Sequence, residues 1–208
     1  MGVTCYRAPV APVTTEIEVK RSRFRCDLVR VETEEEARAV VERARREHWD
    51  ARHHCSAFVL GPEGRVARSS DDGEPAGTAG APMLEVLRGA GLSDVVVVVT
   101  RWFGGVLLGA GGLVRAYGDA VRSAVDLAEV VDRRLLRLWT VEVPHAEAGR
   151  VENELRARGV TVRGTAYAAA ATLTLAAPTE DDLVPVLAAL TGGTAVPVPA
   201  GEDWVDLA

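Results

Sequence analysis

The sequence has little to offer a membrane or an oxidising compartment. Its densest aliphatic run, Val95 to Val99, is far short of the roughly 20 residues a membrane-spanning helix needs. Met1 to Thr15 lacks the charged start and apolar stretch of a signal peptide, so the expected location is cytoplasmic, with no membrane partner. Only three cysteines occur, Cys5, Cys26 and Cys55, widely spaced and without a C-x-x-C pair. That spacing suggests neither a disulfide framework nor a zinc ribbon, and reduced thiols are expected. No motif specifies a cofactor or a metal.

What is present is a folded chain of 208 residues, 48% hydrophobic, with a net charge of −6. The charge is uneven: from Arg137 onward five Arg face ten Asp plus Glu. An acidic final third repels phosphate backbones over roughly 8 Å at physiological salt, which disfavours nonspecific nucleic-acid binding there.

Hydrophobic periodicity divides the chain in two. Glu16–Lys20 and Phe24, Cys26 and Leu28 alternate as half-buried strands do, so two strands are expected to open the fold. Thr33-Glu34-Glu35-Glu36 has capping-box form ahead of Ala37, Val40, Val41 and Ala44 at helical spacing, predicting a helix that ends near Trp49. Gly61-Pro62-Glu63-Gly64 predicts a hairpin turn, and Pro82 the first turn of a short helix closed by Gly89. Val95 to Val99 has no polar face and predicts a central strand covered on both sides. Leu113, Ala116, Tyr117, Ala120, Val121 and Ala124 then predict a long helix. Near Asp132 the pattern restarts as strand, helix, two strands, helix and strand, the β-α-β-β-α-β order of a ferredoxin-like domain. Its second helix, Thr179 to Leu190, contains Pro185, which predicts a kink or a later start. Residues 1–134 and 135–208 are the expected domains, both of the α+β class.

The stretch from Ser70 to Tyr117 gathers the candidate chemistry. After the valine strand, Gly104, Gly105, Gly109, Gly111 and Gly112 lead into a helix, a geometry in which backbone N–H groups converge on an anion. Arg101 and Arg115 would add bidentate contacts to a phosphate or carboxylate. The competing reading is that these glycines only allow close packing. Asp71, Asp72 and Glu74 lie in a turn followed by a small-residue loop containing Thr78. Such carboxylates suit a hard cation such as Mg²⁺, acid–base work, capping of the next segment, or ion pairs with Arg101 or Arg115. His53 and Cys55 share one side of a strand, with His54 on the other, and His53 is expected to be structural or to touch a ligand. Arg21, Arg23 and Arg25 belong to the basic cluster best suited to nucleic acid.

Four segments taken together resemble the YigZ/IMPACT family: Lys20-Arg21-Ser22-Arg23-Phe24, Ala51 to Cys55, Ser70 to Gly80, and Thr100 to Gly105 with Leu108 to Tyr117. The resemblance covers nearly the whole chain, and Trp102 stands where the family commonly has Tyr. It implies a first domain like the second domain of ribosomal protein S5, followed by a ferredoxin-like domain like an elongation factor's C-terminal region. It also implies a role tied to translation control, with the ribosome, RNA or a translation-related protein as partner. The resulting expectation is a non-enzymatic regulatory or nucleic-acid-associated protein that binds an anionic partner between the two loops. No catalytic residue is assigned. The rival is an enzyme acting on a phosphorylated or carboxylated small molecule, with Asp71, Asp72 or Glu74 as acid, base or metal ligand.

Overall fold

The computed structural model describes residues 4–207; Met1 to Val3 and Ala208, at the outer ends of the two expected domains, lie outside the described residues. The chain forms two compact units, one reaching Arg133 and the other spanning Arg134–Leu207.

The first unit is built on the sheet order β2-β3-β6-β4-β5, with β2 (Val13–Val19), β3 (Ser22–Arg30), β4 (His53–Leu60), β5 (Val66–Ser70) and β6 (Val95–Trp102); β1 (Cys5–Pro9) lies outside that sheet and is hydrogen-bonded to β7 (Val130–Val143) instead. Every neighbouring pair in that sheet is antiparallel. β6 sits in the middle because it alone has two apolar faces. Val95, Val97 and Val99 pack with α2 (Gly80–Gly89) and α3 (Ala110–Leu127), while Val96 and Val98 pack with α1 (Glu34–Glu47). All five are fully buried, and each contributes on the order of 1.5–3 kcal/mol by leaving water.

α1 starts where the capping box predicts. The Thr33 hydroxyl accepts from the Glu36 N–H at 3.1 Å, and the Glu36 carboxylate accepts from the Thr33 N–H at 3.3 Å. Its buried stripe is Ala37, Val40 and Ala44, with Val41 partly buried beside it. All six α3 positions picked out by periodicity are buried.

β1 departs from expectation, since a strand precedes the two that were to open the fold. Its residues bond to distant chain: the Ser93 N–H donates to Arg7 C=O at 2.9 Å, and the Val10 N–H just beyond β1 donates to Glu129 C=O at 2.9 Å.

The second unit runs β7 (Val130–Val143, entered from the first unit), α4 (His145–Ala157), β8 (Thr161–Tyr167), β9 (Ala171–Ala177), α5 (Val184–Thr191) and β10 (Val198–Leu207). β7, β9 and β8 lie in that order, and β10 pairs with the other edge of β7, the ferredoxin-like arrangement. Trp139, Val141, Val151, Leu155, Leu173, Leu175 and Leu187 form its core. α5 starts late because Pro185 is accommodated in its first turn, where a missing N–H costs nothing. Among the described residues, no helix is long and apolar enough to cross a membrane.

Candidate functional site

Asp71 is turned inward by the backbone of its own loop. Asp71 Oδ1 accepts from the N–H groups of Ala79 and Gly80 at 3.0 and 2.8 Å, and Oδ2 accepts from Gly77 at 2.8 Å. Partial burial works to raise the Asp71 pKa, but the three N–H donors outweigh it and hold the carboxyl below its usual range. Asp71 thereby supplies the capping group that α2 lacks at its own N-cap, Ala79. Asp72 accepts from Arg45 at 2.8 Å and from the His54 N–H at 2.6 Å, while its backbone C=O meets His53 Nδ1 at 2.9 Å.

Glu74 goes deeper. Its Oε1 accepts from Arg101 Nη1 at 2.6 Å and from Tyr117 Oη at 2.7 Å, with His53 Nε2 at 4.0 Å. The side chains of Glu74 and Arg101 are 4% and 7% exposed. The Arg101 guanidinium lies 5.4 Å from the Phe24 ring centroid and 5.8 Å from that of Phe103. Its Nε is buried with no hydrogen bond among the described residues. Cys55 Sγ lies 3.0 Å from Asp71 C=O and 3.3 Å from Tyr117 Oη. Burial pushes the Cys55 thiol up to about 12, so it stays protonated. Thr78 is buried and donates to Pro75 C=O at 2.7 Å.

Register explains this convergence. His53 pairs with Arg101, and Arg101 with Phe24, so all three stand in one row at one end of the sheet. His54, one residue on, faces the other side, where its Nδ1 meets Thr100 Oγ1 at 3.2 Å. Burial, foremost, keeps its pKa low.

The Gly-rich loop leaves β6 over the β2–β3 turn. A Cβ on Gly104 would come within 2.0 Å of the Arg21 carbonyl, so only glycine fits, and the Gly104 N–H donates to Ser22 Oγ at 3.1 Å. Gly109, at φ +72°, is the N-cap of α3 and offers it no side-chain partner. Gly105 lies in the exposed loop, and Gly111 and Gly112 occupy the first turn of α3. Phe103 and Leu107 stand 50% and 82% exposed.

The structure separates two arginines that the sequence reading placed together. Arg101 is inside with Glu74, whereas Arg115 is exposed beside a groove of about 640 Å³ between α2 and α3, lined also by Pro82, Val86, Val114 and Arg122. Tyr117 points at Glu74, and a residue two positions earlier on a helix lies some 200° around the axis. Two of the expected nucleic-acid contacts are likewise engaged at home. Arg25 bonds Asp27 at 3.3 Å, and Arg23 lies 4.4 Å over the Trp102 ring and 3.8 Å from Glu16. Arg21 is exposed. Tyr117 joins the network although the sequence does not mark it as a site residue, because helical spacing shows it only as core.

These loops carry a known pattern. The sequence profile of the Impact N-terminal domain matches residues 20–125, just over half of the chain. The chain belongs to the IMPACT family. A domain family of unknown function, DUF1949, matches residues 141–193. The IMPACT family member YvyE of Bacillus subtilis is 48% identical over 68% of this chain, and the alignment spans 65% of that protein's length. The Escherichia coli member YigZ is 44% identical over 69% of this chain and 72% of its own. A crystal structure described as that of a hypothetical protein covers 96% of this chain and 99% of its own, with a TM-score of 0.66 and 37% identity. The matched IMPACT region contains the whole Glu74–Arg101–Tyr117 network and both flanking loops.

Proposed function

We propose that this chain is a regulatory binding protein acting near translation, and that the two loops at the β6 end of the first unit form its recognition surface for an anionic partner. The observation that carries this reading is where the charges of Asp71 and Glu74 go: onto backbone N–H groups of one loop, and onto Arg101 and Tyr117. Carboxylates engaged in this way fix loop shape. An enzyme acting on a phosphorylated or carboxylated small molecule would need the same groups free for acid–base work or a metal. The loops themselves stay outside, with Leu107 exposed and the α3 N-terminus uncapped by any side chain, which favours negative charge nearby. Membership of the IMPACT family supports the regulatory role, and the translation link follows from the family resemblance.

Sedimentation with purified ribosomes, and capture of translation factors from extract, test this at low and at roughly 200 mM salt. The expected outcome is a salt-sensitive association that Leu107→Asp weakens on the order of tenfold, as loss of a buried interface anchor does. Absence of any such association, or one indifferent to Leu107→Asp, would refute the reading.

A further inference from the structure

Aromatic residues are only 5% of the chain, four Trp, three Tyr and three Phe, yet Trp49, Trp102 and Phe103 gather at one end of the first unit's sheet. Trp102 is held in place: Arg23 lies over its ring, the His48 ring meets it edge-on at 5.3 Å, and its Nε1–H donates to Asp50 at 2.9 Å. Trp49, between the two residues that grip Trp102, is itself 82% exposed, and Phe103 is 50% exposed.

Cations are interleaved with these rings. Lys20 and Arg21 form the two-residue β2–β3 turn, closed by the Val19–Ser22 pair, with φ of +49° and +66°. Such a turn ordinarily takes Asn-Gly, because side chains resist the left-handed region. Here it carries two exposed cationic residues at the strand ends, and the Arg21 backbone packs against Gly104, next to Phe103. Arg52 is exposed just before β4. Lys20, Arg21 and Arg52 make no ion pair among the described residues. The acids on this side include Glu16, paired with Arg23; Asp50, bonded to Trp102; Asp72, paired with Arg45; and Glu18 and Glu47, both exposed. From the turn to β4 is between two and three strand spacings, roughly 10–15 Å.

We propose that this end of the first unit binds single-stranded nucleic acid, with bases stacked on Trp49 and Phe103 and backbone phosphates on Lys20, Arg21 and Arg52. Separate exposed rings flanked by unpaired cations suit unstacked bases, whereas a duplex keeps its base faces covered. The proposal rests on the reading of this unit as binding an anionic partner, and it names that partner's chemistry. RNA and DNA share the chemistry, so both are tested.

The experiment is fluorescence anisotropy of the full chain with labelled uridine and thymidine homopolymers, at low and at roughly 200 mM salt, alongside intrinsic tryptophan fluorescence. Binding is expected to quench Trp49. Trp49→Ala weakens affinity on the order of tenfold, and Trp49→Phe retains most of it. Arg21→Ala lowers the slope of log affinity against log salt by about 0.7. Binding of the uridine strand alone assigns RNA as the source, and equal binding assigns single strands generally. The proposal is overturned if neither strand binds in a salt-sensitive way, if both Ala variants bind like the parent, or if polyglutamate binds as tightly without regard to Trp49. Association with ribosomes but with neither strand leaves the regulatory reading standing and removes this one.

Discussion

Glu74 brings its carboxylate to a place where only 4% of the side chain meets water, and Arg101 and Tyr117 meet the same oxygen there. Removing one partner of a buried ion pair leaves the other desolvated and unpaired, which costs far more than the pair itself contributes. Glu74→Gln is therefore expected to lower the unfolding free energy of the first unit by about 3–5 kcal/mol, read from urea denaturation followed by circular dichroism. Adding Arg101→Met to that variant should recover much of the loss, since no charge then remains unpaired. If Glu74→Gln unfolds like the parent, the ion pair is not buried as described.

At the scale of elements, the 71–79 loop and α2 act as one piece, because Asp71 accepts from the N–H groups of Ala79 and Gly80 at the helix start. The native Asp71 pKa lies below the unfolded value, so the capping contribution is complete above the ordinary carboxylate range. It is lost as pH falls through the native pKa. Asp71→Ala should destabilise by about 2 kcal/mol at neutral pH, comparable to loss of a charged cap, and the gap to the parent should narrow as the solution is acidified below about pH 4. A gap unchanged down to pH 2 would contradict the cap.

The same loop marks what the sequence makes legible. The valine strand, the α1 capping box and the α3 stripe are local patterns, and each names its own element. The ion pair between Glu74 and Arg101 could be foreseen only as one option among several, because nothing local says which carboxylate faces which arginine. Arg115 was misplaced for the related reason that proximity in sequence hides helical phase. β1 was missed because its bonds go to residues near Ser93 and Glu129, far along the chain. The left-handed Lys20-Arg21 turn was unreadable because its residues oppose the conformation they adopt.

At the scale of the whole molecule, the two units differ in charge more than in fold class. Arg134 to Leu207 holds six Arg against ten Asp plus Glu, while the first unit holds eighteen basic against twenty acidic residues, nearly balanced. A negative partner is thus repelled by one unit and admitted by the other. One feature turns that asymmetry into a laboratory handle. Lys20, at the tip of the β2–β3 turn, is the sole lysine among the 208 residues; all other basic side chains of the Lys/Arg class are arginine. A lysine-specific endoprotease therefore has a single cleavage point in these 208 residues, at an exposed turn of the kind such enzymes cut. The free protein should give one nick that parts β2 from β3, and a partner seated on this end should slow that nick. Undiminished cutting in a saturated complex would place the partner elsewhere. One bond, watched over time on a gel, becomes a footprint of whatever this protein holds.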